Sequence, residues 1–460
     1  MSNDIQKENE KLRRENKKLK EENERLKKVE KEFEEFKAKH LATVSNLKKV
    51  LNIKANSKKI HKPLGAPKGH AGYTRKIPER IDVIKPLIAK RCPDCNTKLK
   101  QSKKSKPRER YVTDIKLTSK SINILFEIYR SYCPKCKKAV EPEIPNVLPH
   151  ARFGLNLMLL VMYLKLGLRL PSNKICDYFM NMYNLSISDG EIYVILRQLK
   201  DAFGNYYKYL EKILKKSRVT YTDSTSWRIN GKNYFSWVFV TAGIVLYKIK
   251  KRNNHKVPLS VLGKSENERI LVVDRHSAFR TLAEKEGFLL QLCWSHILQD
   301  SKELARDFGK EGKYVHKKLK EIFELAKESA GITEMVWQLQ GDIFQLTNRH
   351  YQHITVRRFV NNLWNRDIHN LFRFVADTDI DPTNNISERA LRELVVIRKI
   401  SNCSRSNRGA EITATLLSAI QTLRMNKQNV LQGLSSILKL SDGMNFLSFL
   451  LIDGQLHKAK

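Results

Sequence analysis

The sequence lacks an apolar segment long enough to cross a membrane. Its most apolar run, residues 155–168, contains Lys165 and is shorter than the roughly 20 residues that a bilayer-spanning helix needs. A secretory leader is not visible either, because charged residues begin at Asp4. These two absences predict a soluble, cytoplasmic protein with no membrane partner.

Acidic residues are scarce relative to basic ones. Asp and Glu together number 48, against 86 Lys and Arg, so the formal net charge is +38. Such an excess favours nucleic acid as the partner over the second choice, an anionic membrane surface. With 460 residues the chain has room for several domains and a sizeable core.

Cysteine is also uncommon, and its count is odd. Four of the seven cysteines form two Cys-x-x-Cys pairs, which fit reduced, metal-binding thiols better than a disulfide framework. Two such pairs predict a tetrahedral site for one structural Zn²⁺, in a zinc ribbon over residues 91–149. His70 is a further possible ligand, although a free histidine is the simpler interpretation. The predicted zinc ligands are Cys92, Cys95, Cys133 and Cys136.

The N-terminal residues repeat apolar side chains every seven positions. Asparagines at the matching a positions would fix the register of a parallel coiled coil, so residues 1–51 predict a homodimer, with a lone charged helix as the alternative. Residues 52–90, rich in Lys, Gly, Pro and His, predict a basic linker. The d positions are Ile5, Leu12, Leu19, Leu26 and Phe33.

Residues 150–216 predict a helical domain. Within it, Ser172–Tyr183 and residues 188–200 outline a helix-turn-helix, and the second helix would be the one that enters a DNA groove. Arg197 and Lys200 on that helix are candidate phosphate contacts. Helical hairpins without a DNA-binding role have the same outline.

Two aspartates stand in otherwise apolar strands farther along the chain. Asp223 lies inside one predicted strand, and Asp274 ends the apolar run that begins at Ile270. A carboxylate in such a position is costly unless it binds something. The pattern predicts a ribonuclease-H-like α/β core in two parts, residues 217–290 and 379–430. An all-α insertion, residues 291–378, lies between them, and residues 431–460 form a helical tail. The insertion carries three tryptophans that we expect in its core, with stacking on a flipped or end base as the alternative: Trp294, Trp337 and Trp364.

A third acidic residue lies in the segment 381–392, Asp-Pro-Thr-Asn-Asn-Ile-Ser-Glu-Arg-Ala-Leu-Arg. Pro382 suits a helix start, and Thr383 or Asn384 can cap the first turn. Glu388 would then lie near the start of the helix, with amides and arginines on the same face. A solvated capped helix would have a similar sequence.

Together, three carboxylates would hold two divalent cations, Mg²⁺ or Mn²⁺, beside a phosphodiester. The three are Asp223, Asp274 and Glu388, and the neighbouring candidates for DNA contact are Asn385, Arg389 and Arg392. Such a site can nick DNA with water and then join strands with the freed 3′-hydroxyl.

With these motifs in place, the chain resembles the DDE transposases of the sixty-six family of prokaryotic insertion sequences, over nearly its whole length. The shared order is the coiled coil, the Gly/Lys/His linker, the paired Cys-x-x-Cys module, Asp223-x-Thr225, Asp274, Cys293-Trp-x-His296, Asn-Asn-x-x-Glu388-Arg-x-x-Arg392 and Gly409-Ala410. The resemblance implies a metal triad of Asp223, Asp274 and Glu388 and four zinc cysteines. It also implies double-stranded DNA substrates, namely terminal inverted repeats and target DNA, and allows for helper proteins and a nucleoid-associated location.

The chain departs from the usual pattern of that family near the predicted site. Ser224 stands where an acidic residue is usual, and Arg275-His276 replaces Gly-Tyr. The basic residues that commonly follow the Cys-Trp-x-His motif are replaced at positions 297–299. His276 and His296 could assist the chemistry or contact DNA, with packing or surface roles as the alternative.

Two other functions stay open. One is a catalytically inactive zinc and helix-turn-helix regulator that keeps the core as a scaffold. The other is a ribonuclease-H-like nuclease that hydrolyses DNA without joining it.

Overall fold

The computed structural model describes Glu24 and residues 77–101, 106–115, 121–265 and 268–440. Except for Glu24, the predicted coiled coil lies outside the described residues, as do residues 52–76 of the predicted linker and residues 441–460 of the predicted tail. The described residues from Ile77 onward belong to one compact unit.

Six strands form two small sheets in the part of the chain that carries the paired cysteines. They are β1 (Val83–Ile88), β2 (Lys100–Gln101), β3 (Arg108–Ile115), β4 (Ser121–Tyr129), β5 (Ser131–Cys133) and β6 (Lys138–Val140). One sheet has the order β1-β4-β3 and the other β2-β5-β6. Strand β1 pairs in parallel with β4 although it lies in the segment predicted as linker. The Leu87 side chain on β1 packs on the small apolar cluster around Phe126, and this contact favours the pairing of β1 with the sheet.

A helical segment follows the two small sheets. Its helices are α1 (Leu155–Met162), α2 (Ser172–Tyr183), α3 (Asp189–Ala202) and α4 (Gly204–Lys216). Helix α3 begins with a capping box, in which the Ser188 hydroxyl accepts from the Glu191 N–H and the Glu191 carboxylate accepts from the Ser188 N–H. Helix α2 ends before Asn184, which adopts a left-handed conformation.

A five-stranded sheet forms the centre of the protein. Its elements along the chain are β7 (Val219–Ile229), β8 (Lys232–Thr241), β9 (Ile244–Lys250), α5 (Lys256–Leu262), β10 (Ile270–Val273), α6 (Ser277–Glu286) and β11 (Leu289–Leu292). The strand order is β11-β10-β7-β8-β9. The first three strands are antiparallel neighbours, whereas β10 and β11 run parallel to β7. Every residue of β10 is buried, as expected for an apolar parallel strand covered on both faces.

Helices follow the sheet. They are α7 (Trp294–Asp307), α8 (Gly309–Glu328), α9 (Met335–Thr347), α10 (Ile354–Asn362) and α11 (Arg373–Ala376), with a π-helical turn over Leu363–Asp367. Trp294 is buried and stacks on Phe323, with ring centroids 5.0 Å apart. The prediction for Trp337 is wrong, because its side chain is 80% exposed. Helix α9 buries the face that carries Leu339, and a residue two positions away points to the opposite side.

Three further helices complete the described chain: α12 (Asn385–Ser401), α13 (Asn407–Met425) and α14 (Val430–Leu440). Helix α12 lies against β7 and β8. Helix α13 covers β9, where the hydroxyls of Ser418 and Thr422 accept hydrogen bonds from the Tyr247 and Val245 N–H groups. These contacts satisfy backbone groups that an edge strand would otherwise leave open. The core is therefore mixed α/β.

None of the helices in the described ranges has the length and apolarity that crossing a membrane requires.

Candidate active site

Asp223 is placed by the middle strand of the sheet. It lies partly buried on β7, and its Oδ1 accepts a hydrogen bond of 2.6 Å from the Ser224 N–H. Burial raises the pKa of the Asp223 carboxyl to about 6, and the negative charge of Asp274 adds to this effect. A positive charge nearby would therefore stabilise the ionised form of Asp223.

Asp274 follows the neighbouring parallel strand. Strand β10 pairs with β7 so that Ile270 is opposite Val219 and Val272 is opposite Tyr221. Continuing this register by two residues puts Asp274 beside Asp223, in agreement with their electrostatic interaction. The Asp274 Oδ1 accepts a 3.2 Å hydrogen bond from the His276 N–H in the turn after the strand.

Glu388 comes from the first turn of α12, whose start is attached to the sheet by Asn384. As predicted, Asn384 is the residue before the helix, but its side chain makes no capping hydrogen bond. Instead, its Nδ2 donates to the Thr222 carbonyl at 2.9 Å, and its backbone N–H donates to the Cys293 sulfur at 3.1 Å. The Trp294 N–H donates to the Pro382 carbonyl at 3.0 Å. These bonds hold the helix start between β7 and α7.

His296 contacts Glu388 directly. Its Nε2 lies 3.0 Å from the Glu388 Oε1. Cys293, one helical turn earlier in the chain, is completely buried beside the same carboxylate. The Cys-Trp-x-His motif was visible in the sequence, but its contact with Glu388 depends on how α7 and α12 pack.

Two positions that depart from the family pattern are joined by a residue that sequence reasoning missed. The Ser224 hydroxyl donates to the Asn253 Oδ1 at 3.2 Å, and the Asn253 Nδ2 lies 3.3 Å from the His276 Nε2. The His276 Nδ1 in turn accepts from the Ala278 N–H at 3.1 Å and caps α6. These hydrogen bonds link the strand that carries Asp223 to the turn after Asp274. Nothing in the local sequence marked Asn253.

The predicted DNA-contacting residues fall into two groups. Asn385, Arg389 and Arg392 are exposed on α12 near Glu388, and within the described parts of the chain their side chains have no hydrogen-bond or ion-pair partner. Arg197 and Lys200 lie on α3 in the helical domain. Both are half-buried, and Lys200 forms an ion pair with Asp201 at 3.3 Å. The first group therefore lies next to Glu388 along the chain, whereas the second lies in a different helical segment.

The four predicted zinc cysteines converge. Their sulfurs lie within 4.8 Å of one another, with 3.8 Å between Cys92 and Cys136 and 3.4 Å between Cys95 and Cys133. Four sulfurs around one zinc ion lie about 3.8 Å apart, so this cluster could hold a zinc ion. Hydrogen bonds to Thr97 lower the pKa of Cys95 to about 6, whereas the neighbouring sulfurs raise the pKa of Cys136 to about 12, so one thiol of the cluster ionises before the others. His70, the alternative ligand, lies outside the described residues.

Comparison with protein families identifies the class to which this fold and site belong. The model described as Transposase IS66 family matches residues 150–412, which is more than half of the chain. The protein is therefore a transposase, an enzyme class that processes DNA. It belongs to the IS66 family of transposases, which confirms the resemblance inferred from the sequence. A comparison with curated proteins found no match.

Proposed function

We propose that the protein cleaves and joins DNA strands at the ends of an insertion sequence, using divalent metal ions held by Asp223, Asp274 and Glu388. The observation that supports this proposal is the placement of three carboxylates by elements joined to strand β7, with Asp274 and Glu388 near enough to Asp223 to raise its pKa beyond the effect of burial. Asp223 lies on β7, Asp274 directly follows the paired parallel strand β10, and Glu388 is on a helix whose start is hydrogen-bonded to β7. The strand order β11-β10-β7-β8-β9 supports a ribonuclease-H-like core.

The residues at this position fit a hard divalent cation. Burial and the neighbouring carboxylate raise the pKa of Asp223 to about 6, so without a metal ion the site disfavours the ionised form of this carboxyl. The Asn384 Oδ1 is buried, and no group in the described residues donates a hydrogen bond to it. Carboxylate and amide oxygens are the ligands that Mg²⁺ and Mn²⁺ prefer. A bound pair of such ions would activate the attacking oxygen and stabilise the leaving one.

The protein's own side chains would position the metal ligands and the DNA. Asp223 and Asp274 are held by the sheet, and His296 orients Glu388 through its 3.0 Å contact. Arg389 and Arg392, exposed near the carboxylates, would hold the phosphate backbone through charged hydrogen bonds, with Asn385 beside them. Arg197 and Lys200 on α3 would contact a more distant part of the terminal repeat.

The remaining modules support DNA binding and assembly in this proposal. One structural Zn²⁺ on the four cysteines would hold the small sheets together as a zinc ribbon. The net charge of +38 suits binding to terminal repeats and target DNA. Dimerisation through residues 1–51 would bring two active sites to the two ends of the element.

The test is an assay of the full-length protein with Mg²⁺ or Mn²⁺ and DNA that contains the terminal repeats. Asp223→Asn, Asp274→Asn and Glu388→Gln should each abolish cleavage and joining, because each removes one charged metal ligand. Glu284→Gln, an exposed position on α6, is the matched control and should keep activity.

Each other outcome points elsewhere. Activity that survives all three substitutions would remove the site assignment. Hydrolysis without joining, and without preference for repeat ends, would indicate a nuclease. Binding to the ends without any strand chemistry in the parent protein would indicate a regulator.

A further inference from the structure

A second group of metal-binding side chains lies at the start of α7. The Cys293 sulfur, a ring nitrogen of His296 and a carboxylate oxygen of Glu388 are all within 4.8 Å of one another. Apart from the four-cysteine cluster, no other group of three such ligands lies within this distance in the described parts of the chain, since Asp223, Asp274 and Glu388 are more widely spaced. The chemistry of this group differs from that of the carboxylate site, since it combines sulfur, nitrogen and oxygen.

The sulfur is held in position by backbone donors. Cys293 is the residue before α7, and His296 lies in the first turn of that helix. Besides the Asn384 N–H at 3.1 Å, the N–H groups of Ser295 and His296 also donate to the Cys293 sulfur. Burial raises the pKa of the Cys293 thiol, whereas these three donors oppose that effect. Several N–H groups directed at one sulfur at a helix start favour a thiolate once a cation is present.

The other two ligands have room to adjust. The side chains of His296 and Glu388 are 44% and 30% exposed, whereas Cys293 is fully buried. Ligand atoms at about 2.0–2.3 Å from a tetrahedral zinc ion lie about 3.3–3.8 Å apart. Movements of about 1 Å by the two exposed side chains would therefore complete the geometry, with the sulfur as the fixed point.

We propose that Cys293, His296 and Glu388 form a binding site for a thiophilic divalent cation, Zn²⁺ or Co²⁺, and that the bound ion inhibits strand chemistry. Thiolate and imidazole select such ions, whereas Mg²⁺ requires oxygen ligands. On binding, the Cys293 thiol releases its proton to solvent and the sulfur bonds to the metal. Three protein ligands leave the fourth position to water. The inhibitory part rests on the proposed function, because it requires Glu388 to be a ligand of the catalytic Mg²⁺.

The binding test uses full-length protein without DNA, equilibrated with micromolar free Zn²⁺ and then analysed for zinc content. The parent should hold about two zinc ions per chain, one on the four cysteines and one here. Cys293→Ser and His296→Ala should each lose one equivalent. Cys176→Ser is the matched control, because this half-buried cysteine lies on α2, in neither cluster, and should keep both.

A second measurement distinguishes a lost ligand from a misfolded variant. Protein that carries one zinc ion is titrated with Co²⁺, and the thiolate-to-cobalt absorption should appear in the parent and in Cys176→Ser but not in Cys293→Ser. Near-ultraviolet circular dichroism should show the same tertiary packing in all three proteins. One zinc ion per chain in the parent, or a second equivalent that survives both Cys293→Ser and His296→Ala, would overturn the proposed site.

Inhibition is tested as the ratio of Mg²⁺-dependent cleavage with and without micromolar Zn²⁺. Zinc should abolish cleavage by the parent and leave the ratio of Cys293→Ser near its zinc-free value. Equal inhibition of both proteins would overturn the inhibitory role. Two zinc ions per chain in a protein without strand chemistry would leave the metal site standing and would count against the proposed function instead.

Discussion

The completely buried carboxylate of Asp367 accepts a 2.8 Å hydrogen bond from Arg275, the residue that follows Asp274. Arg280 on α6 donates to the other oxygen of the same carboxylate at 2.5 Å. Asp367 ends the π-helical turn in the helical insertion. A position where this chain departs from the family pattern therefore connects the insertion to the end of β10. Removing a buried carboxylate that pairs with two guanidinium groups destabilises the folded protein.

Asp367→Asn should consequently destabilise the protein. The substitution keeps the shape of the side chain but removes the charge that two arginines require, and we expect a loss of about 3 kcal/mol in the free energy of unfolding. Asp300→Asn is the control, because Asp300 also pairs with Arg275 but is 48% exposed, and its loss should stay below about 1 kcal/mol. Urea unfolding measures both. Similar losses for the two variants would contradict the buried position of Asp367.

The raised pKa of Asp223 predicts a pH dependence of stability. Its folded value of about 6 lies above the ordinary value of 3.8. Ionising a carboxyl whose folded-state pKa is raised destabilises the folded protein. Its contribution to stability is therefore complete below the unfolded-state pKa and is lost as the pH rises through the folded-state pKa. The measurement uses magnesium-free buffer and compares the free energy of unfolding of Asp223→Asn with that of the parent. This difference should favour the variant by about 2 kcal/mol more at about pH 8 than at about pH 4.

Chemical unfolding across this pH range is the measurement for Asp223. Glu284→Gln, exposed on α6, should show no such difference between the two pH values. An Asp223→Asn profile parallel to that of the parent would show that the carboxyl is ionised at little cost.

The four-cysteine cluster predicts a structural metal in the N-terminal sheets. Cys92→Ser combined with Cys133→Ser should remove one zinc equivalent, because both thiols are buried in the small cluster with Ala89, Leu99 and Val140. Limited proteolysis should then cut residues 91–149 faster than in the parent. Cys403→Ser, which changes a cysteine outside the cluster, should alter neither zinc content nor cleavage rate. An unchanged zinc content in the double variant would rule out the zinc ribbon.

The exposed arginines of α12 predict a salt-dependent contribution to DNA binding. Arg389→Ala with Arg392→Ala should weaken binding to repeat-end DNA and reduce the slope of log affinity against log salt by about 2. Fluorescence anisotropy over a range of salt concentrations gives this slope. Lys327→Ala on α8 removes another exposed cation and should leave the slope unchanged. A slope that stays constant in the arginine variant would place the DNA elsewhere.

Much of the local structure could be predicted from the sequence. Helix α2 has the predicted bounds, and β10 ends directly before Asp274 as the apolar run indicates. The paired cysteines likewise identify their partners, because the spacing of each pair is a local property. Strand β1 cannot be recognised from the sequence, because its exposed residues resemble a linker and only its pairing with β4 distinguishes it from one.

The sequence by itself determined the alternation of strands and helices, the family and the three acidic residues that we propose as a triad. The alternation and the acidic residues follow from residue type, periodicity and spacing, which act over a few neighbouring positions, and the family follows from the order of the motifs along the chain. Only the tertiary structure decided that His296 meets Glu388, that Asn253 joins Ser224 to His276, and that Asp367 is buried between two arginines. The partners in these contacts lie between 23 and 92 positions apart. Such contacts depend on strand register and helix packing, because local patterns specify which face is buried but not which residue lies opposite.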